Sequence, residues 1–481
     1  MTMRTSTRKA TASTVAHWPR QVLYVALFCL AGSASAQQVL GLGEIYRAAL
    51  QSDATLSAAG AQVRSSLEVV EQAKAQFLPN VSYNANYFRN DLDRSTNFPN
   101  LPTQKTNEFY NSSGQTLQMR QPLYRPTLLA GLDVARNQLE DANQTLAVET
   151  QSLAVRAVEG YLELLAAKER QQLILVQQRS AERGLDSARK RLLGGLGIRT
   201  DIDEAQARID MILAQQVEAE QAVLAARLTL AELTQLSIGE VRSLDPARVP
   251  MTPLVPSEVD SWMTDAVATS PVMASLQARV RAAEATVERI AAGHKPTLDA
   301  IAQVTKSSSE NVTTPSSSYL NKQIGLQLVI PLYSGSAVSS QTRQALAEQG
   351  RAEDQLEAER RALRIRVHKE WRGVTDGARK VAALEQALTS ADRVVVSVKR
   401  SFEGGLRTVL EVLDAEERAQ SARRDLLTAR LQYVGSRLRL LSYTGKLDDT
   451  RMDKASEWFS GAGAEARAGV PVSPAATPQP G

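Results

Sequence analysis

The chain has 481 residues, 43% of them apolar and 22% charged, with one Cys, three His and a formal net charge of +4. One thiol excludes a disulfide framework, and so few imidazoles leave no Cys/His set for a structural zinc. Arg4, Arg8, Lys9 and Arg20 supply the whole positive excess from within the first 36 residues, so the charge balance gives no ground for nucleic-acid binding.

Those first residues join the cationic start to an apolar run from Val22 to Leu30 and end on Ala34-Ser35-Ala36, the small-x-small pattern read by a signal peptidase. The run is far shorter than the roughly 20 residues of a spanning helix. Residues 1–36 are therefore expected to be a secretory signal, removed before Gln37, on a protein exported by a Gram-negative cell. Cys29 lacks the small preceding residue of a lipid-anchor site and is expected to leave with the signal.

An Ala-rich pattern from Leu42 to Phe77 predicts a helix, after which the period falls to two. Val81, Tyr83, Ala85 and Tyr87 alternate with Ser82, Asn84 and Asn86, and Leu117 and Met119 alternate with Thr116, Gln118 and Arg120. These runs predict strands at about 80–89 and 115–123, joined by a long polar loop from Asn90 to Ser113. A long helix is predicted over 126–193, opening on Pro126 at a tolerated first-turn position. Leu132, Leu139, Leu146 and Leu153 recur in it every seventh residue, which is coiled-coil periodicity. At 1.5 Å per residue this helix spans roughly 100 Å, too long for a compact domain. Gly194-Gly195 ends it, and a shorter helix follows over 201–236.

After a Pro-rich joint at 246–257 the plan repeats. A helix from Glu258 to Ala292 is followed by strands at about 297–304 and 323–332 around a polar loop from Lys306 to Asn321. Then come a long helix over 337–403, a turn at Gly404-Gly405 and a helix over 407–443. Gln121-Pro122-Leu123-Tyr124 matches Ile330-Pro331-Leu332-Tyr333, and Gly194-Gly195-Leu196 matches Gly404-Gly405-Leu406, at a near-constant offset. This indicates a tandem duplication, with repeats at 37–245 and 258–447. Residues 448–481 are expected to form a disordered tail, the last part being rich in Ala, Pro and Gly. Two short helices end to end equal one long helix, which suggests a wall of even height.

No stretch after the signal can span a membrane as a helix, so an embedded form must be a closed barrel. Strands of about nine residues suit a tilted crossing, yet single-chain barrels start at eight strands and this chain offers four. Several copies are expected to share one barrel, with Pro122 and Pro331 at the junctions from strand to long helix. A soluble periplasmic coiled-coil adaptor or scaffold, its hairpins forming a small sheet, fits the alternation equally well.

The duplication, the four strands, the paired Pro-Leu-Tyr segments and both Gly-Leu turns resemble the TolC family of outer-membrane export channels, from Leu42 to about Leu447. The most specific piece is Gly405-Leu406-Arg407-Thr408-Val409-Leu410-Glu411-Val412-Leu413-Asp414-Ala415. The resemblance implies a mixed α and β membrane protein: a homotrimer with a shared twelve-stranded barrel in outer-membrane lipid and an α-barrel tunnel through the periplasm. It implies docking, through a periplasmic adaptor, onto an inner-membrane ABC transporter or efflux pump. The cargo is then either an exported protein, as in type I secretion of RTX-type toxins, or a small molecule. The missing lipid-anchor cysteine leans towards the first.

By the same resemblance Glu411 and Asp414 would form acidic rings at the pore constriction, and Arg407 with Thr200 and Asp201 would lock the closed state. Gly194, Gly195, Gly404 and Gly405 would be the entrance turns. First-turn acids also simply complement a helix dipole. Glu411 is longer than the Asp usual in the family, and Phe402 stands where a Tyr is common. No enzyme activity, cofactor or metal is expected: the glycine pairs lack a P-loop lysine, and His294 and His368 have no catalytic neighbour in sequence.

Overall fold

The computed structural model describes residues 39–97, 99, 102–195, 197–309 and 317–460, so the expected signal at 1–36 lies outside the described residues. In chain order the elements are α1 (Leu42–Ser52), α2 (Ala54–Ala75), β1 (Asn80–Thr96), β2 (Gln104–Tyr124), α3 (Pro126–Leu193), α4 (Arg199–Thr234) and β3 (Ser243–Leu244). They continue with α5 (Val259–Thr269), α6 (Pro271–Ala291), β4 (Thr297–Ser309), β5 (Ser317–Val329), α7 (Ala337–Glu403), α8 (Val409–Tyr443), α9 (Asp449–Ser456) and β6 (Phe459–Ser460).

Helices α3 and α7 have 68 and 67 residues, which at 1.5 Å per residue is about 100 Å each. Ala135, Ala142 and Leu153 on the heptad face of α3 are buried. The short helices stack along the long ones. Helices α2 and α6, which lead into the strands, lie against α3 together with α4 and α8, which follow the glycine turns; α7 is flanked by α6 and α8.

The helix expected from 42 to 77 is two helices. Asp53 has an extended backbone (φ −68°, ψ 119°) that ends α1, and its carboxylate caps α2 by accepting the Leu56 N–H at 2.8 Å. Arg156 on α3 holds the same carboxylate at 2.9 Å. The second copy breaks at the equivalent place, where Ser270 (φ −66°, ψ 126°) precedes Pro271 and is forced out of the helical region.

The four long strands form one antiparallel sheet in the order β1-β2-β4-β5. Its register puts Val81, Met119, Ala302 and Ile324 in one row, and Ser82, Gln118, Gln303 and Gln323 in the next. Because side chains alternate across a sheet, one face is apolar and the other polar. Among the described residues nothing covers the apolar face: Ile324 is 87% exposed and Leu326 71%. Strands β1 and β5 each keep one edge unpaired in this sheet.

The strands run further than the alternation predicts, into both loops expected at 90–113 and 306–321: β1 reaches Thr96 and β2 starts at Gln104, while β4 reaches Ser309 and β5 starts at Ser317. Backbone pairing needs no apolar face, and polar side chains reinforce it: Asn90 Nδ2 donates to Ser112 Oγ at 2.9 Å and Asn107 Nδ2 to Asp93 Oδ1 at 2.7 Å. At the other end β5 stops at Val329, ahead of Pro331, whereas β2 runs through Pro122 with a register shift against β4 between Pro122 and Tyr124.

The largest core lies at the waist of the molecule. Leu42, Ile45 and Tyr46 of α1 pack with Tyr161 and Leu164 of α3, Trp262 of α5 and Leu438 of α8. The joint at 246–257 belongs to this core, since Val249 and Leu254 are buried and Pro250 O accepts from Tyr433 Oη at 2.7 Å. So does the start of the expected tail. Met452, Ala455 and Phe459 are buried, Phe459 meets the Tyr161 ring edge-on at 4.9 Å, and β6 pairs with β3. The expectation of disorder from 448 is thus corrected as far as 460, because sparse apolar residues there meet a preformed waist; 461–481 lie outside the described residues.

Burial raises the Asp53 carboxyl, but hydrogen bonds from Arg156, Thr55 and the Leu56 N–H outweigh it and bring it from 3.8 down to about 2. A depressed carboxylate stabilises the fold fully above its unfolded value and loses that contribution as pH falls towards about 2. Asp53→Asn, which keeps a cap acceptor and removes the charge that holds Arg156, should therefore lower the melting temperature at neutral pH, through a loss of about 1 kcal/mol, and narrow the gap to the parent at pH 3. Melting followed by circular dichroism at both pH values checks this.

Candidate functional site

At the end of the molecule away from the sheet, the two helical hairpins turn on their glycines. Gly195 has φ +71° and Gly405 φ +76°, the left-handed region that favours glycine. The Gly194 N–H donates to Lys190 O at 3.0 Å and the Gly404 N–H to Arg400 O at 3.1 Å, which closes each long helix. A small apolar plug of Ala188, Val409 and Leu413, flanked by Ile202 and Phe402, brings the ends of α3, α4, α7 and α8 together. The Arg191 guanidinium lies 4.8 Å from the centre of the Phe402 ring, so Phe402 takes a cation without needing a hydroxyl.

Helix α8 starts here with a reciprocal cap. The Thr408 N–H donates to Glu411 Oε2 at 2.8 Å, and the Glu411 N–H donates to Thr408 Oγ1 at 3.3 Å. Arg407 also donates to Glu411. The Thr408 N–H, followed by the Arg407 guanidinium, holds the Glu411 carboxyl below the usual carboxylate range. Asp414 lies nearly one turn on and accepts from Arg208 Nη1 of α4 at 2.9 Å. Both acids singled out in the sequence therefore have cationic partners inside the chain. Among the described residues no hydrogen bond or ion pair joins Arg407 to Thr200 or Asp201; Arg407 is engaged by its own helix instead.

Five further side chains at this end were not singled out in the sequence. Arg208 reaches Glu417 as well as Asp414, and Glu416 accepts from Lys399 of α7 at 2.5 Å and from Ser180 of α3. The only trace of them in the sequence is the run of acids from Asp414 to Glu417.

Between sheet and helices, Asp299 on the polar face of β4 is 1% exposed. Arg120 of β2 reaches it at 2.7 Å and Arg125, the residue before α3, at 2.6 Å. Gln121 Nε2 donates to Phe77 O at 2.7 Å, tying in the end of α2. Pro122 sits inside this cluster, whereas Pro331 is followed by the fully exposed Leu332 and Tyr333. The first junction is thus clamped within the chain.

Among the described residues no His, Cys, Asp and Glu group could hold a metal ion, and no helix is long and apolar enough to cross a membrane. What the molecule offers is a two-faced sheet on a helical column. A family model for outer membrane efflux proteins matches residues 45–234 and again 262–446, once in each repeat. The chain belongs to this outer membrane efflux protein family. It is an outer-membrane channel protein with TolC-type architecture that extends into the periplasm, and its family members are channels, not enzymes.

It is 29% identical over 447 residues to the proteases secretion protein PrtF of Dickeya chrysanthemi, covering 92% of this chain and 96% of that protein. It is 29% identical over 424 residues to the alkaline protease secretion protein AprF of Pseudomonas aeruginosa, 87% of each. The solved outer membrane protein VceC of Vibrio cholerae shares the fold with a TM-score of 0.70 at 17% identity, over 85% of this chain and 97% of that one. These findings overturn the alternative of a soluble periplasmic adaptor or scaffold, and the uncovered apolar face of the sheet explains why: it is a lipid-facing surface.

Removing the Asp299 carboxylate would leave Arg120 and Arg125 facing each other without a counter-charge. Asp299→Ala should cost up to about 3 kcal/mol, the lower end for a broken buried pair because both guanidiniums reach solvent. The temperature at which the detergent-extracted assembly falls apart on a gel should drop; an unchanged temperature would remove the clamp assignment.

Proposed function

We propose that three copies of this chain form a passive duct across the outer membrane and periplasm. The observation that carries this reading is the four-stranded sheet with one apolar face and two open edges. Three such sheets make the twelve strands of a small barrel, edge β5 of one copy pairing with edge β1 of the next. Twelve helical columns would continue the lumen below it. The duct would be engaged through a periplasmic adaptor by an inner-membrane ABC transporter, which would supply the energy.

In this reading Glu411 and Asp414 line the constriction, where six carboxylates favour cations. Arg407, Thr200 and Asp201 would act between neighbouring chains at the closed mouth, since within one chain Arg407 is held by Glu411. The cargo is a secreted protein, supported by the near full-length similarity to two protease secretion proteins. Small-molecule efflux is the second reading, supported by the family description.

Deletion of the gene in its own bacterium should strip a protein from the culture supernatant and retain it in the cells. Sensitivity to dyes and detergents should stay near that of the parent. An unchanged supernatant with sharply raised drug sensitivity would reject the protein-secretion reading in favour of efflux.

A further inference from the structure

Helix α4 packs along α3 and touches α8 only lightly, near their starts. The charged contact there is a fork: Arg208 Nη1 donates to Asp414 at 2.9 Å and Nη2 to Glu417, and these acids are three residues apart on α8. Residues at that spacing share a helix face, so one planar guanidinium can take both. The Arg208 side chain is 20% exposed and that of Asp414 46%, so the contact is shielded on the arginine side and open on the carboxylate side.

The other acids of this turn have different partners. Glu416 goes to Lys399 of α7 and Ser180 of α3, and Glu411 to Arg407 and Thr408. Asp414 is thus the one candidate pore acid whose counter-charge lies on a different helical hairpin. Beside the fork is a 220 Å³ cleft lined in part by Ser180, Lys399, Glu416 and Arg423. The helices are not close-packed there, and α4 can part from α8 without opening a large apolar core.

The two repeats do not share this device. In the sequence match that pairs Asp201 with Glu411 and Glu204 with Asp414, Arg208 falls opposite Arg418, which is exposed and, among the described residues, makes no ion pair of this kind. The fork therefore joins the first repeat to the second and has no counterpart within either.

We propose that Arg208 is a positioning residue that sets how much charge Asp414 presents to the pore: docked on α4, Asp414 is drawn sideways and neutralised, and parting of α4 from α8 releases it towards the lumen. Ion preference and aperture are then coupled through one side chain. This rests on the duct reading and on Asp414 facing the axis. At about 0.1 M salt the screening length is roughly 10 Å, so a contact this close is barely screened while the charge of a released carboxylate is felt across the mouth.

The test uses the full-length assembly in planar bilayers under a potassium chloride gradient. Arg208→Gln should raise single-channel conductance and shift the zero-current potential towards the potassium value, and Arg208→Lys should restore the parent behaviour in part. Asp414→Asn in the Arg208→Gln background should abolish the selectivity shift and keep the higher conductance. A purely structural role would change conductance without this charge-dependent return.

Arg208→Gln channels with the parent's conductance and ion preference would overturn the assignment and leave the duct standing. A parent protein that forms no conducting pore would overturn the duct and the assignment with it. Should Arg208→Gln fail to assemble, Asp414→Asn with Glu417→Gln releases the same fork from the other side. That pair should raise conductance and weaken cation preference, and parent-like values for both would reject the proposal.

Discussion

A backbone that enters hydrocarbon must have every N–H and C=O paired, because no water is there to receive them. In this chain β1 and β5 each leave one edge open in the four-stranded sheet. The rest of the architecture follows from that deficit. The apolar rows of Val81, Met119, Ala302 and Ile324 are uncovered because lipid covers them, and the sheet becomes complete only when other copies supply the missing edges.

The column below the sheet meets a different constraint. Water surrounds it inside and out, so its helices need only a narrow apolar seam, and alanine fills much of that seam at Ala135, Ala142, Ala181, Ala188 and Ala205. Small residues allow close, gently coiled packing over about 100 Å. Where the column needs rigidity, at the waist, the seam widens into a core with Tyr161, Trp262 and Phe459. At the end with the glycine turns the apolar plug is small and polar contacts take over. A half-exposed ion pair contributes only about 0.2 to 1 kcal/mol, a suitable size for the gate contact proposed above.

Much of this plan is legible in the sequence. The leucine heptads mark α3 and the glycine pairs mark both turns, but the helix expected from Glu258 to Ala292 breaks at Ser270, where Pro271 is a signal that periodicity alone passes over. The matching break at Asp53 is hidden because its cause is a side-chain cap and a partner on α3, not a proline. Strand ends are misread because polar residues pair their backbones as well as apolar ones do, as in Asp93 with Asn107. The charge clusters are the least legible. Arg125 meets Asp299 from 174 residues away, and Arg208 meets Asp414 from 206 residues away, so no local pattern carries either contact. The packing of Met452 and Phe459 is equally silent, since the surface that receives them is built by residues far upstream.

The account stands or falls on shared closure of the sheet, and the number of chains in one particle measures it most directly. Native mass spectrometry of the detergent-extracted protein should give a single species of three chains, with no stable monomer retaining strand structure. A folded, monodisperse single chain with its sheet intact would contradict the account.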